Sequence, residues 1–282
     1  MFTAAPTAAA YVSVDLEGCA DVVHWDEVRP SERAEYRRSR ETMSAETNAV
    51  VDGIRSAGGE RVVVNDAHAT MRNLVADRLD PRVQLVTGRY KPQFMLEGIG
   101  PEFDAAFFVG YHGAIGDAQA VMGHTYSPRI VYECRLNGEP VGEITINAAL
   151  AGHYGVPVVL VSGDRTTLDE ARRALPWAAC VETKRSLSYH AAECISPERV
   201  RGQLQDAARN AMADRRRAKL YALRAPISME IDTLKTAHAD LFELIPGCHR
   251  AAARSVRYIA DDMAAIYRAL VTMIYLGSAV PA

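Results

Sequence analysis

The sequence predicts an α/β fold, in which a mostly parallel sheet is flanked by helices and a smaller C-terminal α+β two-layer unit follows. Two observations predict the sheet. Short runs of branched and aromatic residues alternate with segments of helical periodicity, and these runs are continuously apolar. Continuous apolar runs are typical of strands that helices bury on both faces. The length of 282 residues is enough for one large domain or two modest ones.

The first half of the chain is predicted to contain the strands of the parallel sheet, the helices between them and one hairpin. A helix over residues 41–57 is expected to end at the glycine pair that follows it, because glycine commonly ends helices. Asn137-Gly138 lies between two apolar runs and predicts a β-hairpin, which adds an antiparallel element. A helix over residues 143–154 follows the hairpin. The predicted strands of the parallel sheet are residues 11–14, 61–64, 105–109 and 156–161.

Helix-start signals continue into the second half of the chain. The spacing of Thr167 and Glu170 is that of a capping box, which predicts that a helix begins there. Ser196 followed by Pro197 predicts the start of a long helix that reaches about residue 220. Later predicted elements are strands at residues 227–231 and 255–259 and a helix at residues 261–276.

A domain boundary is expected near residue 190, where the parallel-sheet pattern gives way to a helix, two strands and a helix. Such a set of elements can form a small unit of two layers. The alanine-rich start is interpreted as a loose extension. The predicted division is an N-terminal extension of residues 1–10, a catalytic α/β domain of residues 11–190 and a small α+β domain of residues 191–282.

Net charge and cysteine content indicate which binding partners and which cellular compartment to expect. A formal net charge of −3 gives no electrostatic reason to expect nucleic acid or a membrane surface as partner. The five cysteines form no Cys-x-x-Cys pair, so neither a disulfide framework nor a zinc ribbon is indicated. The N-terminus lacks the basic region of a signal peptide, and the uncharged C-terminal stretch is too short to span a bilayer. We therefore expect a cytoplasmic protein with reduced thiols.

Metal-ligand residue types follow three of the predicted strands. Asp15 and Glu17 come directly after the first strand, and on an extended backbone two side chains at this spacing point the same way. His68 follows the second strand and His112 the third. In an open α/β sheet, ligands bind at the carboxyl ends of parallel strands. The four side chains are therefore expected in one crevice, although they lie far apart in sequence.

Two carboxylates and two imidazoles form a donor set that suits Zn²⁺, with Mn²⁺ or Fe²⁺ as alternatives. A carboxylate that can bridge favours two ions, which can share and activate a water. Taken singly, each histidine could be a hydrogen-bonded loop residue and each carboxylate a cap. Their coincidence at three strand ends favours a shared metal site. Asp66 is interpreted as a partner that supports the ligands rather than as a ligand.

Motifs along almost the whole chain after the first ten residues resemble those of the DppA-type D-aminopeptidases, the M55 metallopeptidase family. Residues 13–18, Ser-Val-Asp-Leu-Glu-Gly, match the family's Ser-x-Asp-x-Glu-Gly signature. Each motif is weak alone, and together they are specific. The others are Val64-Asn65-Asp66-Ala67-His68, Lys91-Pro92, Gly110-Tyr111-His112, Val121-Met122-Gly123-His124, Pro140-Val141-Gly142-Glu143 with Asn147, Val161-Ser162-Gly163-Asp164 and Leu244-Ile245-Pro246-Gly247.

The resemblance implies a dinuclear zinc site, with two Zn²⁺ per subunit, and a catalytic histidine at His124. It also implies a homo-oligomeric ring such as a decamer. The loop between His112 and His124 is one residue longer than in the family pattern, so the pocket is expected to differ there. The ligands implied by the family are Asp15, Glu17, His68, His112 and Glu143, of which Glu143 is added by the resemblance alone.

We therefore predict a zinc aminopeptidase that removes the N-terminal residue of short peptides, with D-alanine-like residues preferred. The chirality comes only from the resemblance. His124 would stabilise the oxyanion or carry a proton to the leaving amine; a nucleophilic role is chemically less attractive than a metal-activated water. Lys91 could reach substrate or be a structural lysine, and Asp164 could line the crevice or cap a helix.

Two other functions remain open at this stage. The same metal core could hydrolyse another amide or a phosphoester, although phosphoester chemistry usually needs cations around the phosphoryl group. Few basic residues lie near the predicted strand ends. A non-catalytic peptide-binding protein is the other alternative, and the complete ligand set argues against it.

Overall fold

The structure is a computed structural model and describes residues 8–31 and 33–281. Its strands form two sheets. In chain order they are β1 (Ala8–Val14), β2 (Gly59–Asp66), β3 (Gln84–Val86), β4 (Ala105–Tyr111), β5 (Val131–Leu136), β6 (Glu139–Pro140), β7 (Val158–Asp164), β8 (Ala179–Ser188), β9 (Ala191–Cys194), β10 (Ile227–Thr233), β11 (Cys248–Ala252) and β12 (Ser255–Ala260).

Seven α-helices lie in the described part of the chain and cover the sheets. They are α1 (Trp25–Val28), α2 (Ala34–Ser56), α3 (Glu143–His153), α4 (Arg165–Ala174), α5 (Pro197–Asp214), α6 (Thr236–Phe242) and α7 (Met263–Gly277). No helix among the described residues has both the length and the apolar character needed to cross a membrane.

The first sheet has the strand order β3-β2-β1-β4-β7-β8-β9, and all its strands are parallel except β9. In the register, Val12 of β1 lies beside Val64 of β2 and Phe107 of β4. These side chains pack toward α2 and α5, whereas the alternate residues Tyr11 and Phe108 pack on the opposite face toward α3 and α7. Burial on both faces explains the continuous apolar runs, so the predicted fold class is confirmed.

The second sheet has the order β11-β12-β10-β5-β6, and its pairs are antiparallel. The hairpin between β5 and β6 turns at Asn137 and Gly138, both of which have positive φ angles of 52° and 89°. That is the backbone that a tight two-residue hairpin requires, and it accounts for the Asn-Gly signal. α6 and α7 pack on this sheet, and α7 also contacts α3 of the first sheet's helix layer.

The two sheets exchange segments of the chain. β5 and β6 lie in the first half of the sequence but pair with β10 in the second sheet. β9 and α5 lie after residue 190 but belong to the first sheet and its helix layer. The expected boundary near residue 190 therefore does not coincide with the change from one sheet to the other, and the division into folding units stays a prediction. Residues 8–10 are part of β1, and residues 1–7 of the predicted extension lie outside the described residues.

The predicted start of α4 is wrong. Asp164 is the N-cap, since its side chain accepts a hydrogen bond from the backbone N–H of Thr167, and the helix begins at Arg165. Glu170 does not complete a capping box. Its carboxylate instead accepts from the backbone N–H of Gly142 at 2.9 Å, at the start of α3. The Glu170 carboxylate thus caps α3, which is adjacent in space but earlier in the sequence, and not its own helix α4.

Other element bounds also differ from the predictions. α2 begins at Ala34, well before residue 41, and α5 ends at Asp214, where a short 3₁₀ turn takes over. β8 was not predicted, because its second half, residues 184–188, is polar apart from Leu187 and so lacks an apolar run. Element ends of this kind depend on tertiary contacts that local patterns do not record.

The apolar face of α5 is expected to contribute strongly to stability. Leu204 is fully buried between α5, α2 and the first sheet, so Leu204→Ala should lower the free energy of unfolding by about 2–5 kcal/mol, because it leaves a cavity. Leu187→Ala is the matched control, since that leucine is 67% exposed and should change stability by about 0.5 kcal/mol or less. Urea denaturation of both variants measures the difference, and equal losses would contradict this packing.

Candidate metal centre

The carboxyl ends of β1, β2 and β4 meet at one edge of the first sheet, because the three strands are parallel neighbours. The chain after β1 folds over the end of β4. The backbone N–H of Asp15 donates to the carbonyl of Val109 at 2.8 Å, and that of Gly18 donates to the carbonyl of Gly110 at 2.8 Å. A Cβ at Gly18 would lie 1.7 Å from the carbonyl oxygen of Tyr111, so only glycine permits this approach.

This close approach brings the residues after the strands together. His68 Nδ1 lies 3.2 Å from Asp15 Oδ1 and 2.8 Å from Glu17 Oε2. His112 Nε2 lies 3.6 Å from Asp15 Oδ2 and 3.5 Å from Glu143 Oε1. All five side chains are at least 95% buried. The residues that follow the three strands thus lie in one crevice, as the sequence predicts.

The side chains fall into overlapping groups whose ligand atoms lie within 4.8 Å of one another. Asp15, Glu17 and His68 form one group, and Asp15, His112 and Glu143 form a second. Asp15 is shared by both, with Oδ1 toward one group and Oδ2 toward the other. A third group contains Glu17, His112 and His124. Two triads that share one carboxylate have the composition of a two-metal site with a bridging ligand.

The hydrogen bonds of the imidazoles indicate which ring nitrogens are free to bind a cation. His68 Nε2 lies 2.8 Å from the carbonyl oxygen of Val28, and His112 Nδ1 lies 3.0 Å from that of Gly113. A carbonyl oxygen only accepts, so these nitrogens carry the hydrogen. The other nitrogen of each ring faces carboxylates, and when the ring is neutral its lone pair is free to bind a cation. Backbone carbonyls orient metal-binding histidines in this way.

Two buried atoms in this cluster lack a hydrogen-bond partner, namely Glu17 Oε2 and His112 Nε2. Buried polar atoms are rarely left unsatisfied, because removing them from water is costly. Lone pairs of imidazole and carboxylate that face one another repel unless a positive charge lies between them. The residues present therefore fit a pair of divalent cations such as Zn²⁺.

The pKa values reflect the excess of buried negative charge. Burial, together with the charge of Glu17, raises the pKa of Asp15 to about 7. Burial would also raise the pKa of Glu17, but the neighbouring imidazoles hold it well below its usual value. Against burial, the carboxylates raise the pKa values of His68 and His112 well above their usual range. Neighbouring opposite charges explain the directions of the pKa shifts of Glu17, His68 and His112, whereas burial and a like charge explain that of Asp15.

His124 differs from the other histidines. Burial, followed by the charge of His112, lowers its pKa to about 4, so its ring is neutral near pH 7. It stacks on the His112 ring at a centroid distance of 4.0 Å, and the edge of Trp25 packs against it at 5.3 Å. Its Nδ1 donates to the carbonyl of Met122 at 2.9 Å, which leaves Nε2 unprotonated and 3.8 Å from Glu17 Oε1.

Glu143 is held by both the helix that it begins and the loop before that helix. Its Oε1 accepts from the backbone N–H of Tyr126 at 2.6 Å. The first turn of α3 is anchored in turn by Glu170, which accepts from the side-chain hydroxyl of Thr145 and from Gly142. In sequence, Glu143 is an ordinary first-turn acid favoured by the helix dipole. Only the family resemblance pointed to it as a ligand.

A buried hydrogen-bond network lies beneath Glu143 and joins it to the C-terminal helix. The side-chain oxygen of Asn147 accepts from the hydroxyls of Tyr126 at 2.8 Å and of Tyr267, on α7, at 2.9 Å. The Asn147 amide donates to the hydroxyl of Tyr111 at 3.1 Å, which bonds with Ser13 of β1. The floor of the site is therefore held by hydrogen bonds from α3, α7 and the first sheet.

Lys184 is a site-supporting residue that the sequence analysis missed. Its side chain is fully buried, and its ammonium donates to the carbonyls of Glu17 at 2.5 Å, of Cys19 at 2.7 Å and of Val22. These three bonds hold the loop that presents Glu17. Burial lowers the pKa of Lys184. No sequence signal identified it, since it lies on the unpredicted strand β8 and makes contacts more than 160 residues away.

The supporting role predicted for Asp66 agrees with its contacts. Its carboxylate accepts from the backbone N–H groups of Asn73 at 2.5 Å and Leu74 at 2.7 Å. The Asn73 side chain also donates to the carbonyl of His68 at 2.7 Å. Asp66 thus shapes the loop that carries His68.

Two weaker candidates are structural. Lys91 is buried and donates to Asn65 Oδ1 and to the carbonyl of Asp66, both at 2.7 Å, so it is neither a surface lysine nor part of the cavity wall. Burial lowers its pKa to about 8. Asp164 caps α4 and accepts from the backbone N–H of Gly113 at 3.3 Å, which ties down the loop after His112.

A cavity of about 790 Å³ opens directly onto this cluster. That volume lies in the range of small-molecule sites. Its carboxylates, among the described residues, are Asp15, Glu17 and Glu143, and its walls carry Trp25, Phe94 and Tyr126.

The family comparison identifies the chain. Residues 9–272 match the model of the Peptidase M55 family, described as D-aminopeptidase. The chain belongs to the M55 family. The predicted family and the predicted enzyme class, a hydrolase of the peptidase type, are confirmed.

Two relatives of this M55 peptidase are similar over nearly their full length. A D-aminopeptidase of Bacillus subtilis (strain 168) is 32% identical over 272 residues, which cover 95% of this chain and 97% of the relative. A solved structure, described as the Zn-dependent D-aminopeptidase DppA from Bacillus subtilis, a self-compartmentalizing protease, is 30% identical. It superposes with a TM-score of 0.92 over 97% of this chain and 99% of its own.

Gly18 offers a direct test of how this M55 peptidase assembles its site. Gly18→Ala should lower the free energy of unfolding by about 1–3 kcal/mol and reduce zinc binding, because the new Cβ must push the Tyr111 carbonyl aside. Gly202→Ala is the control, since the space around Gly202 on α5 is open and alanine there should stabilise the helix by up to about 1 kcal/mol. Thermal unfolding and zinc content are measured for both; an unaffected Gly18 variant would contradict the close approach.

Proposed function

We propose that this M55 peptidase is a dinuclear zinc aminopeptidase that removes the N-terminal residue of short peptides, with D-alanine-like residues preferred. The observation that carries the proposal is the pair of buried ligand triads that share Asp15. The names of the two relatives support zinc and the D-residue preference.

In this proposal Asp15, Glu17 and His68 would hold one zinc ion, and Asp15, His112 and Glu143 would hold the other. Bound zinc would polarise the scissile carbonyl and lower the pKa of a water toward neutrality. The protein residues keep the ligand atoms in place. The backbone carbonyls of Val28 and Gly113 fix the two imidazole rings, and Asp15 sets the spacing between the triads.

His124 is proposed to move protons. Because Nδ1 donates to Met122, the neutral ring offers only a lone pair at Nε2 and cannot donate from Nε2 to an oxyanion. Nε2 can take a proton from the attacking water and return it, as N–H, to the nitrogen of the leaving amine. The pKa of His124, which burial lowers to about 4, makes the protonated ring a strong donor. Of the roles considered from sequence, proton transfer is the one that this tautomer supports.

We propose that this chain also assembles into a homo-oligomeric ring such as a decamer. The description of DppA as self-compartmentalizing supports assembly, but not a particular number of subunits. A ring that encloses the cavity would limit substrates to small or extended peptides. Light scattering of the purified protein measures the subunit number. The cytoplasmic location stays a prediction.

The central test uses chromogenic substrates that need no C-terminal carboxylate. Zinc-loaded protein should cleave a D-alanyl anilide faster than the L-alanyl anilide and should leave an aryl phosphate intact. Chelation should abolish cleavage. His124→Asn should keep its zinc but lose about 10²–10⁴-fold in kcat, because proton transfer is lost. Intact anilides after zinc loading, or an aryl phosphate that is cleaved instead, would refute the proposal.

The shared carboxylate predicts a distinctive pattern of metal loss. Wild-type protein should bind two zinc ions per chain, Glu143→Gln should lose one, and Asp15→Asn should weaken both, since only Asp15 faces both triads. Glu139→Gln is the matched control, because Glu139 is an exposed carboxylate on β6. Elemental analysis after dialysis measures the ratio. A single lost zinc in Asp15→Asn would show that this carboxylate does not bridge.

A further inference from the structure

The cavity of this peptidase has a charge pattern that the metal centre does not explain. Its carboxylates all belong to the two triads, whereas the rest of the wall includes three arginines: Arg29, Arg89 and Arg129. None of the three forms an ion pair with a carboxylate among the residues that the structure describes. Many other exposed arginines are paired, for example Arg165 with Glu182 at 2.9 Å and Arg172 with Asp169 at 2.8 Å.

Arg29 is the arginine whose position relative to the reacting groups is best fixed. The residue before it, Val28, supplies the carbonyl that accepts from His68 Nε2 at 2.8 Å. The backbone N–H of Arg29 donates to the carbonyl of Trp25 at 3.0 Å. The guanidinium lies 5.3 Å from the centre of the Trp25 ring, whose edge packs 5.3 Å from the His124 ring. Two such steps therefore join the guanidinium to His124.

The other two arginines contact residues other than Trp25 and His124. The Arg89 guanidinium lies 5.9 Å from the rings of Tyr90 and of Tyr275 on α7. Arg129 lines both the main cavity and a smaller one beside it, which Lys235 also lines. Among the described residues, neither has a ring contact that leads directly to His124.

We propose that Arg29 binds the C-terminal carboxylate of the substrate, so that the enzyme selects dipeptides and tripeptides with a free carboxyl end. This inference rests on the proposed aminopeptidase function. In an extended peptide each residue spans at most about 3.3–3.6 Å. The carboxylate of a dipeptide or tripeptide therefore lies one or two such lengths from the scissile carbonyl. The two 5.3 Å steps through Trp25 keep the Arg29 guanidinium within a short distance of His124. A planar guanidinium binds a carboxylate in bidentate fashion, and stacking on Trp25 orders it beforehand.

The test compares alanine dipeptides of D configuration that end in a free carboxylate or in a carboxamide. Wild-type enzyme should show a KM about 10- to 100-fold lower for the free acid, since a charge-assisted hydrogen bond to a carboxylate is lost in the amide. Arg29→Gln should raise KM for the free acid by about the same factor, leave its kcat nearly unchanged and leave the amide unaffected. Arg172→Gln, an exposed and paired arginine outside the cavity, is the matched control.

Several outcomes would overturn the inference. Equal KM values for acid and amide in wild type would mean that no carboxylate is recognised. Equal losses for acid and amide in Arg29→Gln would mean that Arg29 only supports the site. Loss of the preference in Arg89→Gln or Arg129→Gln, but not in Arg29→Gln, would assign the subsite to another arginine.

A binding measurement separates this inference from the proposed function. Calorimetry with zinc-loaded His124→Asn protein, whose turnover is slowed, should give a Kd for the free acid about 10- to 100-fold below that for the amide. If wild type cleaves the anilides but binds acid and amide equally, the carboxylate subsite is wrong and the aminopeptidase proposal stands. If nothing is cleaved but the acid still binds more tightly and Arg29→Gln removes the difference, the subsite stands and the reaction is wrong.

Discussion

The structure depends on one electrostatic constraint: three carboxylates and three imidazoles are buried together at the edge of the parallel sheet. Such a cluster is costly in a region of low dielectric, because burial removes its charged groups from water. Asp15 lies at its centre and faces both triads. Divalent cations would relieve this constraint, and the unsatisfied atoms of Glu17 and His112 lie where a cation would bind.

Each loop that carries a ligand is held by a buried polar group that is not itself a ligand. The Lys184 ammonium donates hydrogen bonds to three carbonyls of the Glu17 loop. The Asp66 carboxylate accepts from the His68 loop, and Glu170 accepts from the start of α3, which carries Glu143. These contacts come from strands and helices far away in sequence. The precision of the site therefore derives from the whole first sheet and its helices rather than from the strand ends alone.

The positions of the four proposed ligands nearest the strand ends could be predicted from sequence, because a buried parallel strand is visible as an apolar run and its carboxyl end faces the crevice. Asp15 and His112 illustrate this, since each directly follows its strand. Glu143 could not be predicted in this way, because a first-turn acid has an ordinary local explanation. Lys184 was missed for another reason: its partners are carbonyl groups, which any residue provides. The start of α4 was mispredicted because Glu170 serves a neighbouring helix, a contact that spacing cannot show.

The network beneath Glu143 has a consequence for biosynthesis. Tyr126, whose backbone holds the Glu143 carboxylate, shares the side-chain oxygen of Asn147 with Tyr267 of α7. During translation, β1 and the Asp15 that follows it leave the ribosome long before α7 does. A nascent chain can thus form the central strands while the floor of the catalytic centre still lacks its closing hydrogen bond. The floor of the proposed metal centre is therefore complete only after α7, near the end of the chain, has docked against α3.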